Sequence, residues 1–87
     1  MKSALKLSPK VRYRSIDNEG VLVHIDTGRI IVVNRVGRAI IQMLETSCTE
    51  KELIDQVLET FNVTESRASS DISQFLDQLK LEKVISN

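Results

Sequence analysis

A chain of 87 residues has room for one domain with a modest core, and such a core rarely encloses a deep catalytic cavity as well. An apolar fraction of 41% and a charged fraction of 28% describe an ordinary soluble globule. The formal net charge of zero excludes a bulk electrostatic pull toward nucleic acid or an anionic membrane.

In chain order, residues 1–8 read as a flexible arm of a single domain spanning 1–87. Lys2, Lys6, Lys10, Arg12 and Arg14 make the first fourteen residues basic with no acid among them, and the remainder is acidic by the same amount. After Pro9, the apolar Val11 and Tyr13 alternate with Arg12 and Arg14, which predicts a strand over Val11–Ile16. Asp17-Asn18-Glu19-Gly20 is a turn signal, and Val21–Ile25 is a second, β-branched-rich strand. Asp26-Thr27-Gly28 predicts a tight turn in which Gly28 takes a positive φ. Ile30–Val33 is the third strand, and such short connections imply an antiparallel meander in sequence order.

The period then switches. Asn34 is placed to cap a helix carrying Val36, Ile40, Ile41 and Leu44 at helical spacing. Gly37 inside it costs about 1 kcal/mol against alanine, so a close approach is expected there. Thr49 with Glu52 forms a capping box for a second helix, striped by Leu53, Val57 and Leu58 and ended by Phe61. Thr64 caps a third helix with Ala68, Ile72, Phe75, Leu76 and Leu79 on its inner face, and Val84 and Ile85 form a short extended tail. The fold class is α+β and winged-helix-like: a three-stranded antiparallel sheet followed by a three-helix bundle.

Residues that carry chemistry are scarce. His24 is the only histidine, set in an apolar strand, and Cys48 is the only cysteine, so neither a metal site of the usual ligand count nor an internal disulfide can form. Gly20, Gly28 and Gly37 are isolated and make no phosphate loop. Glu45, Glu50, Glu52, Asp55 and Glu59 read as a solvated helix face, and three aromatic residues are too few for a base-stacking platform. No enzyme activity and no cofactor are expected. No apolar run approaches the ~18 residues of a membrane span. No apolar signal segment follows Met1, Lys2 and Lys6. The expectation is a cytoplasmic protein, monomeric or weakly dimeric, bound to neither membrane nor nucleic acid.

A binding surface remains. Ile30-Ile31-Val32-Val33 is apolar at every position, whereas a strand with one face in water should alternate. It is also an edge strand, and only the flanking Arg29 and Arg35 blunt it. An extended peptide could add beside it as a fourth strand, with side chains directed toward the third helix. Alternatively, the N-terminal arm or a second copy of the chain covers this edge. The rival function is a winged-helix DNA-binding regulator, invited by the last two helices. Against it, Thr64–Glu82 carries Glu65, Asp71, Asp77 and Glu82 but only Arg67 and Lys80, the wrong balance for phosphates.

Several segments together resemble the PqqD family, the pyrroloquinoline-quinone (PQQ) synthesis protein D group. They are Pro9, Arg12-Tyr13-Arg14, Val21-Leu22-Val23, Asp26-Thr27-Gly28 and Val33-Asn34-Arg35-Val36-Gly37. Thr49 with Glu52-Leu53, Phe61-Asn62-Val63, and Asp71-Ile72, Phe75-Leu76 and Leu79 complete the pattern. The resemblance covers about residues 7–86. It implies a non-catalytic recognition element that binds the leader of a ribosomally made precursor peptide. The element then presents that peptide to a maturase, a radical SAM enzyme in PQQ biosynthesis or another peptide-modifying enzyme. Carried over by position, the binding strand is Arg29, Ile30, Ile31, Val32 and Val33, and the helical wall is Arg67, Asp71, Gln74, Phe75 and Gln78. The chain departs from the pattern at Ser47-Cys48 and Glu82-Lys83, where the family often has glycine.

Overall fold

A computed structural model describes residues 4–86 of the chain. A short N-terminal strand, β1 (Lys6–Leu7), precedes β2 (Val11–Ile16), β3 (Glu19–His24) and β4 (Ile30–Val33). The last three form an antiparallel sheet ordered β2-β3-β4, as the short connections require. Ile16 pairs with Glu19, so the first turn holds only Asp17 and Asn18. Asp17 takes a φ of 56°, which aspartate tolerates better than most residues. That tight loop moves the start of the second strand back to Glu19. At its far end the strand stops at His24, one residue before the expected Ile25. There Gly28 adopts φ 75° and its amide donates to the His24 carbonyl at 2.8 Å.

Three helices follow: α1 (Arg35–Leu44), α2 (Glu50–Thr60) and α3 (Glu65–Leu81). Each N-terminus is held by its expected cap. Asn34 Oδ1 accepts the Gly37 amide, Thr49 and Glu52 complete a reciprocal capping box, and Thr64 Oγ1 accepts the Arg67 amide. The buried faces of the helices meet Leu22 and Val33 of the sheet in one core. Ile41, Leu44 and Leu53 are fully buried there, with Ile72, Leu76 and Leu79 from α3. Burying each such side chain contributes roughly 1.5–3 kcal/mol.

The N-terminal arm corrects an expectation. Residues 1–3 lie outside the described residues, but the rest of the expected flexible stretch is anchored. Leu5 is buried, and its amide and carbonyl bond Cys48 across an isolated bridge. Lys6 and Leu7 pair with Ser86 and Ile85 of β5 (Ile85–Ser86), and the Ser8 amide donates to the Val84 carbonyl. The physical reason is apolar: Leu5 and Leu7 alternate with the lysine that dominated the charge reading, and they cover the base of the core. The tail therefore becomes a strand. The arm, the alternative cover for β4, pairs elsewhere from Leu5 onward.

The end of α3 accounts for one departure from the family pattern. Lys83 sits at φ 60°, in the left-handed region. The Val84 amide reaches back to the Leu79 carbonyl at 2.9 Å and the Lys83 amide to Lys80 at 3.1 Å. This is a Schellman closure, with buried Val84 against buried Leu79 and a lysine where glycine is favoured.

Candidate functional site

Hydrogen-bond parity decides what β4 offers. The His24 amide donates toward β4, to the Arg29 carbonyl at 2.9 Å, and the next amide, Ile25, donates the opposite way to Lys10 at 2.9 Å. In an antiparallel ladder these directions alternate residue by residue. Leu22 and Gly20 therefore bond Ile31 and Val33, their register partners. Ile30 and Val32 turn their amides and carbonyls to the open edge. No other strand pairs with β4 among the described residues.

The side chains alternate too. Val33 is buried and Ile31 half-buried on the helix side, while Ile30 is 66% and Val32 62% exposed on the outer face. The expectation that both faces of this strand prefer cover resolves into one covered face and one bare apolar face.

Beside the edge runs an open groove of about 490 Å³ between β4 and α3. Ile31, Val32 and Val33 line the strand side. Val36, Gly37 and Ile40 of α1 lie beneath, with Val57 of α2 and Val63 of the connection that follows. The α3 wall presents Ala68, Ile72, Phe75 and Leu79, rimmed by Asp71, Gln74, Gln78 and Glu82. Gly37 makes this geometry possible: a Cβ there would stand 2.9 Å from Val33 Cβ and 3.3 Å from Phe75 Cζ. The close approach expected from its cost in a helix is thus the contact that seats β4 and Phe75 against α1.

Charge sits only at the rims. Arg29 pairs with Glu82, joining the start of β4 to the end of α3 across one end of the groove. At the other end Arg67 pairs with Asp71 one turn along α3, and the Arg35 guanidinium lies 5.3 Å from the centroid of the Phe61 ring. The interior is apolar, as suits side chains of an extended peptide.

Of the residues expected at the site, Ile31, Val32, Val33, Asp71, Gln74, Phe75 and Gln78 line the groove together. Three do not. Arg29 closes one end through Glu82, Ile30 faces outward, and exposed Arg67 reaches the groove only through Asp71. Sequence reasoning missed the floor, Val36, Ile40 and Val57, because core periodicity had already accounted for those residues. It also missed Val63, whose signal was an apolar residue in a connection, 39% exposed.

His24 is buried and its Nδ1 accepts the Asp26 amide at 3.3 Å, so the histidine staples its own turn. Burial, then the nearby Glu52 carboxylate, raises the pKa of the Cys48 thiol and keeps it protonated. Among the described residues, no group of three His, Cys, Asp or Glu side chains gathers to hold a metal, and no helix is long and apolar enough to cross a membrane.

The fold and groove define a class of domain: a three-stranded antiparallel sheet backed by three helices, with one open strand edge flanking an apolar groove. The family comparison agrees with that architecture: the model of Coenzyme PQQ synthesis protein D (PqqD) matches residues 19–85, and the chain belongs to this family. Among solved structures, TbiB1 in complex with the TbiA(beta) leader peptide superposes with a TM-score of 0.87 at 28% identity, over 94% of this chain and 95% of that one. A lasso peptide synthetase B1 complexed with its leader peptide gives a TM-score of 0.84 at 19% identity, over 98% and 100% of the two chains. The solution structure of the PqqD truncation of Methylobacterium extorquens PqqCD, a stand-alone recognition element for ribosomally synthesized and post-translationally modified peptides, gives 0.78 at 19% identity, over 97% and 89%. At 19% identity the last two speak for the fold. No curated protein matches the sequence significantly.

Proposed function

We propose that this domain captures the leader of a ribosomally made precursor peptide by strand addition to β4 and holds it for a separate modifying enzyme. The observation that carries the reading is the outward-facing amides and carbonyls of Ile30 and Val32, set beside an apolar groove. An extended peptide satisfies those four groups and places alternate side chains between β4 and α3. Arg29, Ile30, Ile31, Val32 and Val33 form the receiving strand, and Asp71, Gln74, Phe75 and Gln78 the facing wall, with Arg67 at its rim through Asp71.

The leader peptides held by TbiB1 and by the lasso synthetase B1 support this use of the fold. The domain contributes binding and presentation; the chemistry belongs to the enzyme that receives the peptide, a radical SAM enzyme or another maturase. It works in the cytoplasm as a monomer or weak dimer.

The test is an amide-shift titration of isotopically labelled protein with the short peptide encoded beside its gene. Shifts concentrated in Arg29–Val33 and Arg67–Gln78 are expected. A peptide that shifts neither segment overturns the reading.

A further inference from the structure

Ile30 and Val32 carry two properties at once. Their backbone groups face the open edge, and their side chains are the most exposed large apolar groups of the sheet, at 66% and 62%. They do not stand alone on the outer face. Val32 pairs with Val21 and Ile30 with Val23, so four aliphatic side chains form a contiguous block. Toward β2 the block ends on charge, because Val21 and Val23 pair there with Arg14 and Arg12. Toward the β4 edge nothing ends it among the described residues.

Resting on the strand-addition reading above, we infer that the bound leader is read on both of its faces. Its residues opposite Ile30 and Val32 carry apolar side chains that extend the outer block, while the residue between them fills the groove. Side chains directly opposite each other on paired strands share a face of the sheet, whichever way the added strand runs. The leader residues facing Ile30 and Val32 therefore lie on the outer face, their Cβ atoms about 4.5–5.5 Å from those two side chains. A charged residue there would desolvate against aliphatic surface, whereas a β-branched or aromatic one buries it. The groove accepts the intervening residue on the other face. The leader segment this domain selects is thus apolar at three successive positions, unlike a half-exposed strand, which alternates.

The experiment uses the double variant Ile30→Thr/Val32→Thr, which keeps β-branched side chains and strand propensity at two exposed positions. The probe is the peptide encoded beside the gene, with affinity read by calorimetry and fold by the thermal midpoint. The expected result is an unchanged midpoint and binding weakened about three- to tenfold through two cross-strand pairs. A peptide arm covers any loss of fold in that variant. Cross-strand NOEs in the wild-type complex identify the two leader residues opposite Ile30 and Val32. Serine at those positions is expected to weaken wild-type binding and to add little to the double variant's loss. Wild-type affinity in Ile30→Thr/Val32→Thr, or charged leader residues at the two positions, overturns the inference and leaves the capture reading standing. A peptide that fails to bind the wild type removes both.

Discussion

The two edges of the sheet make opposite offers. On β2 the same parity turns Val11, Tyr13 and Ser15 outward, but the chain covers the first of them. The Val11 amide donates to the Ser8 carbonyl at 3.1 Å, and the Arg12 guanidinium leans back onto the Val11 and Pro9 carbonyls. Arg12 and Arg14 then hold the outer face in water. On β4, Ile30 and Val32 have no such cover among the described residues, and the outer face is aliphatic. Proteins blunt the edges they do not use, with charge and with folded-back chain. Two blunted edges would have suggested a plain stable fold. One blunted and one open edge is the asymmetry on which the proposed strand addition rests.

The sharpest way to break this contrast is a proline on each edge. Val32→Pro removes an outward amide on β4 and sets a ring in the path of an added strand. Leader binding should fall at least about tenfold, with the fold kept, because no native ladder bond is lost. Ser15→Pro does the same on β2 and should leave leader affinity unchanged. Equal effects from the two, read in one titration series, would erase the distinction between the edges.

Gly37→Ala strikes the support behind β4. The new Cβ meets Val33 Cβ at 2.9 Å, a rigid neighbour that cannot swing aside. Overpacking of this kind costs about 1–3 kcal/mol, against about 1 kcal/mol returned by alanine's helix propensity. A lowered denaturant midpoint together with weaker leader binding is expected. Lys83→Gly acts on the wall opposite and in the other direction: relief of the left-handed lysine should raise stability by about 1 kcal/mol, read in the same denaturant titration. The smallest effect is expected from Arg12→Val/Arg14→Val. Extending the aliphatic block across all three strands should produce weak, concentration-dependent association in sedimentation velocity, where the wild type shows less.

Most of the fold was legible because local signals and global packing agree. Asn34, the Thr49–Glu52 pair and Thr64 each mark a helix start that the structure keeps, and β2 and β4 have the expected bounds. The misreadings of the two termini share a cause. Lysines at positions 2, 6 and 10 hid the alternation of Leu5 and Leu7, and pairing with β5 depends on a partner about eighty residues away that no local pattern shows. The groove was half legible. Its strand announced itself by failing to alternate, and its wall followed from the family resemblance. Its floor could not be seen, since Val36, Ile40 and Val57 carry the same periodic signature whether a helix face is sealed or left open to a guest. The Arg29–Glu82 tie, 53 residues apart, was likewise beyond local reading.

The strand pairing of Lys6 with Ser86 brings the two ends of the described chain side by side. A domain whose ends are neighbours behaves topologically like a closed ring with one nick. The nick can be sealed by a short linker and reopened at the exposed Asp17–Asn18 loop, leaving every strand and helix with its present neighbours. For the same reason the whole unit can be set into a surface loop of another protein as an insert, held at two adjacent points, so that a recognition module could be carried inside an enzyme as readily as beside it.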